Sequence, residues 1–87
     1  MLLKKKTAVI TGSNRGIGKE ILKLFSENGA DIFACARNID ENFKIYLKGL
    51  EEKFKNKIIP IKLDLADENL IKESSKNILE HNKPIDI

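Results

Sequence analysis

An α/β fold, the N-terminal part of a doubly wound parallel sheet, is predicted by three features of this 87-residue sequence: short apolar runs that do not alternate, amphipathic stretches at helical period between them, and a glycine cluster where the first run meets the first helix. The composition, 41% hydrophobic and 33% charged, fits a single globular unit. A chain this short buries only about 60 to 65% of its unfolded surface, so its core is thin. The 16 basic and 13 acidic residues are interspersed, for a net charge of +3, and form no stripe that demands nucleic acid. Lys4, Lys5 and Lys6 are the one basic run, and ahead of an apolar strand they serve solubility. Only Met1, Leu2 and Leu3 precede them, the wrong order for a signal peptide, and no apolar stretch reaches the length that would span a membrane. Cys35 is the single cysteine and sits in an apolar run, so it reads as a buried, inert thiol and the cytoplasm as the expected location.

Taken in order, Thr7, Ala8, Val9 and Ile10 form a strand buried on both faces that ends at the glycine cluster. Ile17, Ile21, Leu22, Leu24 and Phe25 then recur at helical spacing, and Asn28-Gly29 supplies a left-handed stop, which predicts a helix over 16–28. A second buried strand follows over 32–36, completing a βαβ unit of about 30 residues. Phe43, Tyr46, Leu47, Leu50 and Phe54 mark the buried face of a second helix. The third strand, over 58–65, contains Pro60, which cannot donate to a ladder and so places this strand at a sheet edge. Asp67 caps a third helix running to about residue 81, with Leu70, Ile71, Ser74, Ser75, Ile78 and Leu79 as its inward stripe and the serines bonded to helix backbone. Asn82, Lys83 and Pro84 break that helix, and Ile85, Asp86 and Ile87 open a fourth strand. An edge position for the third strand matches the strand order 3-2-1-(4) of a Rossmann sheet.

The loop between the first strand and first helix reads Thr11-Gly12-Ser13-Asn14-Arg15-Gly16-Ile17-Gly18. A side chain at Gly12 would obstruct the turn, one at Gly16 would hold a pyrophosphate off the backbone, and one at Gly18 would hold the helix off the sheet. Free N–H groups at the helix start favour an anion, so this loop, with Ser13, Asn14, Arg15 and Ile17 between its glycines, is read as a phosphate cradle. A P-loop is excluded because Glu20, not Ser or Thr, follows Gly18-Lys19, and Ser13 occupies the position of the required first glycine. An acidic residue at the end of the second strand would bond the ribose of NAD, but Ala36-Arg37 stands there. Arg37 and Arg15 can instead converge on a 2′-phosphate, which favours NADP over NAD by roughly a hundredfold.

Thr11-Gly12-x-x-x-Gly16-Ile17-Gly18 resembles the cofactor fingerprint of the short-chain dehydrogenase/reductase family. Ala34-Cys35-Ala36-Arg37-Asn38 is similar to the second-strand end of its NADP-preferring members. Asp64-Leu65 looks like the pair that the family sets against adenine, which implies that the Asp64 carboxylate takes the exocyclic amine and Leu65 presents backbone. Pro84-Ile85-Asp86-Ile87 is similar to the stretch leading into the family's Asn-Asn-Ala-Gly motif. The loop wording is common to 3-oxoacyl-carrier-protein reductases and to carbonyl or sugar reductases, so it selects no substrate.

The resemblance implies an oxidoreductase that moves a hydride between a nicotinamide and a carbonyl or alcohol carbon, using a tyrosine, a lysine, a serine and an asparagine. These groups lie downstream of the 87 residues, so no catalytic residue is assigned, and the chain is expected to be one incomplete dinucleotide-binding domain over 1–87 that is inactive alone. Tyr46 does not substitute, because Lys48 is two positions on rather than four and the ring lies on an apolar helix face. His81 reads as a surface residue near a helix C-terminus, and no metal site is assigned. The open edge beside the first strand invites a homo-oligomer or a separate complementing second half. Two other readings stay open at this stage, a non-catalytic dinucleotide-binding or interaction module and a functionless truncated remnant.

Overall fold

A computed structural model describes residues 2–81 and 85–87 of the chain. Strands and helices alternate as β1 (Thr7–Ile10), α1 (Gly16–Glu27), β2 (Asp31–Ala36), α2 (Glu41–Phe54), β3 (Ile58–Lys62) and α3 (Glu68–Glu80). The strands form one parallel sheet in the order β1-β2-β3. Its register sets Val9 beside Phe33 and Phe33 beside Ile59. Each crossover carries a helix, which is what parallel neighbours require. Pro60 lies on β3 at the outer edge, where its missing N–H costs no ladder bond. β3 stops at Lys62, short of the expected 65, because β2 ends at Ala36 and offers no partner beyond the bond from Leu63 N–H to the Ala36 carbonyl at 2.9 Å.

Alternate strand residues serve opposite faces of the sheet, as the pleat dictates. Ala8, Ile10, Ile32, Ala34, Ala36 and Ile58 pack with Leu22 of α1 and with Phe43, Leu47 and Leu50 of α2. Phe33, Cys35 and Ile61 point the other way, with Val9, Ile59 and Leu63 beside them and Ile78 as the apolar contribution of α3. The sheet is therefore wound on both faces, as expected, but the second face is thinly covered.

The segment 85–87 lies along the edge of β1 away from β2. The Asp86 N–H donates to the Thr7 carbonyl at 2.8 Å, Val9 N–H donates to the Ile87 carbonyl at 2.9 Å, and an Asp86 carboxylate oxygen accepts from Thr7 N–H at 2.9 Å. This is the fourth position of the 3-2-1-(4) order. Asn82, Lys83 and Pro84, read as helix breakers, lie outside the described residues.

Two expected helix faces are corrected. On α1 the buried residues are Leu22 and Ser26, whereas Ile17 is 80% exposed and Ile21 and Leu24 also face outward. On α3 only Ser74 is fully inward; Ser75 is exposed and Leu79 is 75% exposed. The Ser74 hydroxyl donates to the Lys62 carbonyl at 2.9 Å, tying α3 to the end of β3 rather than to its own helix.

Candidate functional site

Everything that the sequence analysis singled out for ligand binding follows the carboxyl end of a strand, where open α/β sheets receive ligands. The loop after β1 needs two glycines for their backbone: Gly12 and Gly16 both adopt φ +58°, a region that costs other residues about 1–2 kcal/mol. At neither would a Cβ meet an atom within 4 Å, so conformation rather than crowding selects glycine there, and Gly16 borders open space. Gly18 is the crowded one. A Cβ there would land on the Gly12 carbonyl, with the Gly12 carbon 2.7 Å away, so its absence lets the loop fold back onto the first turn of α1 instead of setting the distance from helix to sheet.

Ser13 is fully buried, and its N–H and its hydroxyl both donate to the Cys35 carbonyl at 3.0 Å. Through these bonds Ser13 anchors the expected phosphate-cradling loop to β2. Ile17 is exposed on α1 and does not line the cleft described below.

The start of α1 differs from those of its neighbours. Asp40 caps α2 by accepting from Phe43 N–H at 2.8 Å, and Asp67 caps α3 by accepting from the N–H groups of Asn69 and Leu70 at 3.0 and 3.2 Å. At α1 the capping position holds Arg15, which supplies no side-chain acceptor, and the first turn has no acidic residue. The positive end of the helix dipole there is left without an anionic side chain and has Arg15 beside it, which suits an incoming anion.

A cleft of about 480 Å³ opens beside this helix start. Thr11, Gly12, Asn14 and Arg15 line it from the loop, Arg37 and Asn38 from the end of β2, and Leu63, Asp64 and Leu65 from the end of β3. Six residues that the sequence assigned to the site, Gly12, Asn14, Arg15, Arg37, Asp64 and Leu65, thus meet in one cavity, while Ser13, Gly16, Ile17 and Gly18 do not line it. Thr11, Asn38 and Leu63 were missed, although each adjoins an assigned residue and shares its strand end. The cavity mixes charge with apolar surface: Leu65 is 68% exposed at its rim, and Arg37 Nε lies 3.5 Å from Asp64 Oδ2. Asp64 is held by its turn, its other oxygen accepting from Ala66 N–H at 3.0 Å.

Other reactive groups are not placed for chemistry. Burial pushes the Cys35 thiol up to about 11, so it stays protonated and weakly nucleophilic. Tyr46 is half-buried on α2 with Lys19 Nζ 4.4 Å over its ring; burial first, and then Glu20 and Glu27, raise its phenol above the ordinary value. A general acid needs the opposite shift. His81 sets its ring edge against Phe33, with centroids 5.3 Å apart, and its Nδ1 lies 2.8 Å from the Asn77 carbonyl. Among the described residues there is no group of three or more His, Cys, Asp or Glu that could hold a metal ion, and no helix is long and apolar enough to cross a membrane.

Residues 6–87 match the sequence model of the short chain dehydrogenase family. The whole chain aligns at 33% identity with 34% of the 3-oxoacyl-acyl-carrier-protein reductase of Buchnera aphidicola. L-Sorbose reductase from Gluconobacter frateurii, solved with NADPH and L-sorbose, superposes with a TM-score of 0.80 at 29% identity, over 92% of this chain and 31% of that one. A short chain dehydrogenase from Burkholderia cenocepacia, solved with NADP, gives a TM-score of 0.80 at 28% identity, over 93% of this chain and 33% of that one. The chain therefore spans about a third of the length of the relatives it matches.

Proposed function

Because the chain belongs to the short chain dehydrogenase family, an oxidoreductase family, we propose that its 87 residues hold the adenosine 2′-phosphate end of NADP for hydride transfer to or from a carbonyl or alcohol carbon. One observation carries this reading: the cleft gathers an uncapped helix start and two arginines, with a cation, Arg37, where NAD would call for a carboxylate. The N–H groups at the start of α1 would take the pyrophosphate, whose approach the bare Gly16 permits. Arg37 and Arg15 would take the 2′-phosphate. Leu65 offers apolar surface for the adenine and Asp64 an acceptor for its amine. The nicotinamide, when bound, supplies the hydride.

The structural relatives solved with NADPH or NADP support this choice of cofactor. The groups that polarise the substrate and move its proton would stand on the remaining two-thirds of the fold, in the same chain or in a complementing one. Residues 85–87 already pair with the edge of β1 that was expected to be open, so assembly with further copies or a complementing half would have to pair beyond them. A cytoplasmic setting agrees with a single reduced, buried cysteine.

The deciding experiment is calorimetric titration of the 87-residue chain with 2′-phospho-AMP and with AMP. The 2′-phosphate should tighten binding by at least about tenfold, and Arg37→Asp should remove that preference. Equal affinity for the two nucleotides in both the wild type and the variant would reject the assignment.

A further inference from the structure

The two charged side chains that the proposed site assigns to different parts of the nucleotide face one another in the cleft. Arg37 Nε sits 3.5 Å from Asp64 Oδ2, and the two side chains are 72% and 30% exposed. Their mobility differs. Asp64 is fixed in a tight turn, where one carboxylate oxygen accepts from Ala66 N–H at 3.0 Å and the backbone carbonyl accepts from Asp67 N–H at 2.9 Å. Arg37 is the first residue past β2 and extends from the sheet on a long, mostly exposed side chain. The carboxylate therefore stays where it is, and the guanidinium is the partner that leaves.

Resting on the reading of Arg37 as the 2′-phosphate ligand, we propose that Asp64 is a specificity-determining residue that sets how strongly the site prefers a 2′-phosphorylated adenosine. It acts in two ways with the same sign. It competes with the phosphate for the Arg37 guanidinium, and it places a fixed negative charge within one side chain's reach of the dianion. AMP has no 2′-phosphate and feels neither effect. Asp64 thus weakens NADP-type ligands selectively, and the preference produced by Arg37 is smaller than a lone arginine would give.

The effect is moderate because the pair is solvent-exposed. Exposed ion pairs of this kind shift equilibria by a few-fold, and salt screens them. Asp64→Asn keeps the size of the side chain and the oxygen that accepts from Ala66 N–H while removing the charge. The ratio of AMP to 2′-phospho-AMP dissociation constants for the 87-residue chain should rise about fivefold; a change in the adenine contact that both nucleotides share alters their affinities alike and cancels in this ratio. That gain should shrink in 0.5 M salt.

A ratio that stays constant or falls in Asp64→Asn, while Arg37→Asp still abolishes the wild-type preference, would overturn this inference and leave the Arg37 assignment standing. If Arg37→Asp changes nothing, the assignment itself fails and takes the inference with it. Should Asp64→Asn not fold, Asp64→Ser, which removes the charge and keeps a side-chain oxygen near Ala66 N–H, is read in the same ratio; a rise supports the inference and a constant or falling ratio overturns it.

Discussion

Gly12, Gly16 and Gly18 share one motif but answer to two different constraints. Gly12 and Gly16 are there for a left-handed backbone with free space around it, and Gly18 for a contact with the Gly12 carbonyl that leaves no room for a methyl group. Alanine should therefore separate them. Gly12→Ala and Gly16→Ala should each cost about 1–2 kcal/mol of stability, the penalty of positive φ alone, whereas Gly18→Ala should cost about 3 kcal/mol because backbone has to move. Gly16→Ala should also weaken nucleotide binding beyond its effect on stability, since its methyl group would point into open space beside the loop. Thermal unfolding of the three variants checks the order, and a Gly18→Ala variant as stable as Gly12→Ala would refute the crowding argument. The motif's spacing reveals that glycines are needed. It does not reveal why, because φ and the Gly12–Gly18 approach emerge only when the loop closes. The inward turn of Ser13 was hidden for the same reason: its acceptor, the Cys35 carbonyl, is 22 residues away.

Among the elements, the strands and helices were legible almost to their ends because each carries its own period and its own punctuation. Asp67 announces α3, Asn28-Gly29 closes α1, and Pro60 fixes β3 at the edge, whereas the cap that Asp40 gives α2 came from the structure. What period alone does not tell is which part of an apolar stripe is covered. α3 illustrates this: the stripe runs from Leu70 to Leu79, yet Ser74 is its only fully buried member, held by one bond to Lys62. A helix with so little buried apolar surface is the natural first unit to open. Ser74→Ala should destabilise the chain by about 1 kcal/mol and speed amide exchange in α3 ahead of α1 and α2, whereas Ser75→Ala should change neither. Exchange measured by mass spectrometry separates the two serines, and equal effects would return Ser75 to the inward face that its spacing suggested.

At the scale of the whole molecule, the doubly wound order was readable from Pro60 and from the two-sided apolar strands, but the uneven covering of the two faces was not. The face carrying Ala8, Ile32, Ala34 and Ile58 is closed by α1 and α2, and small alanines let those helices sit close. The face carrying Phe33, Cys35 and Ile61 has Ile78 of α3 and the edge of His81 above it. Beyond both layers lie apolar side chains that the chain itself does not use, Leu24 at 54% exposure on α1 and Leu79 at 75% on α3. In relatives three times as long, further chain is available to pack such stripes, and we expect them to favour association between copies of the 87-residue chain taken alone. Replacing Leu24 and Leu79 together by lysine should raise the concentration at which the 87-residue chain remains monomeric, measured by analytical ultracentrifugation. Stability should change by no more than about 0.5 kcal/mol per site, as for other surface substitutions. If the double variant instead loses several kcal/mol, the two leucines are part of this chain's own core, and the stripes do not mark surface left for further chain to cover.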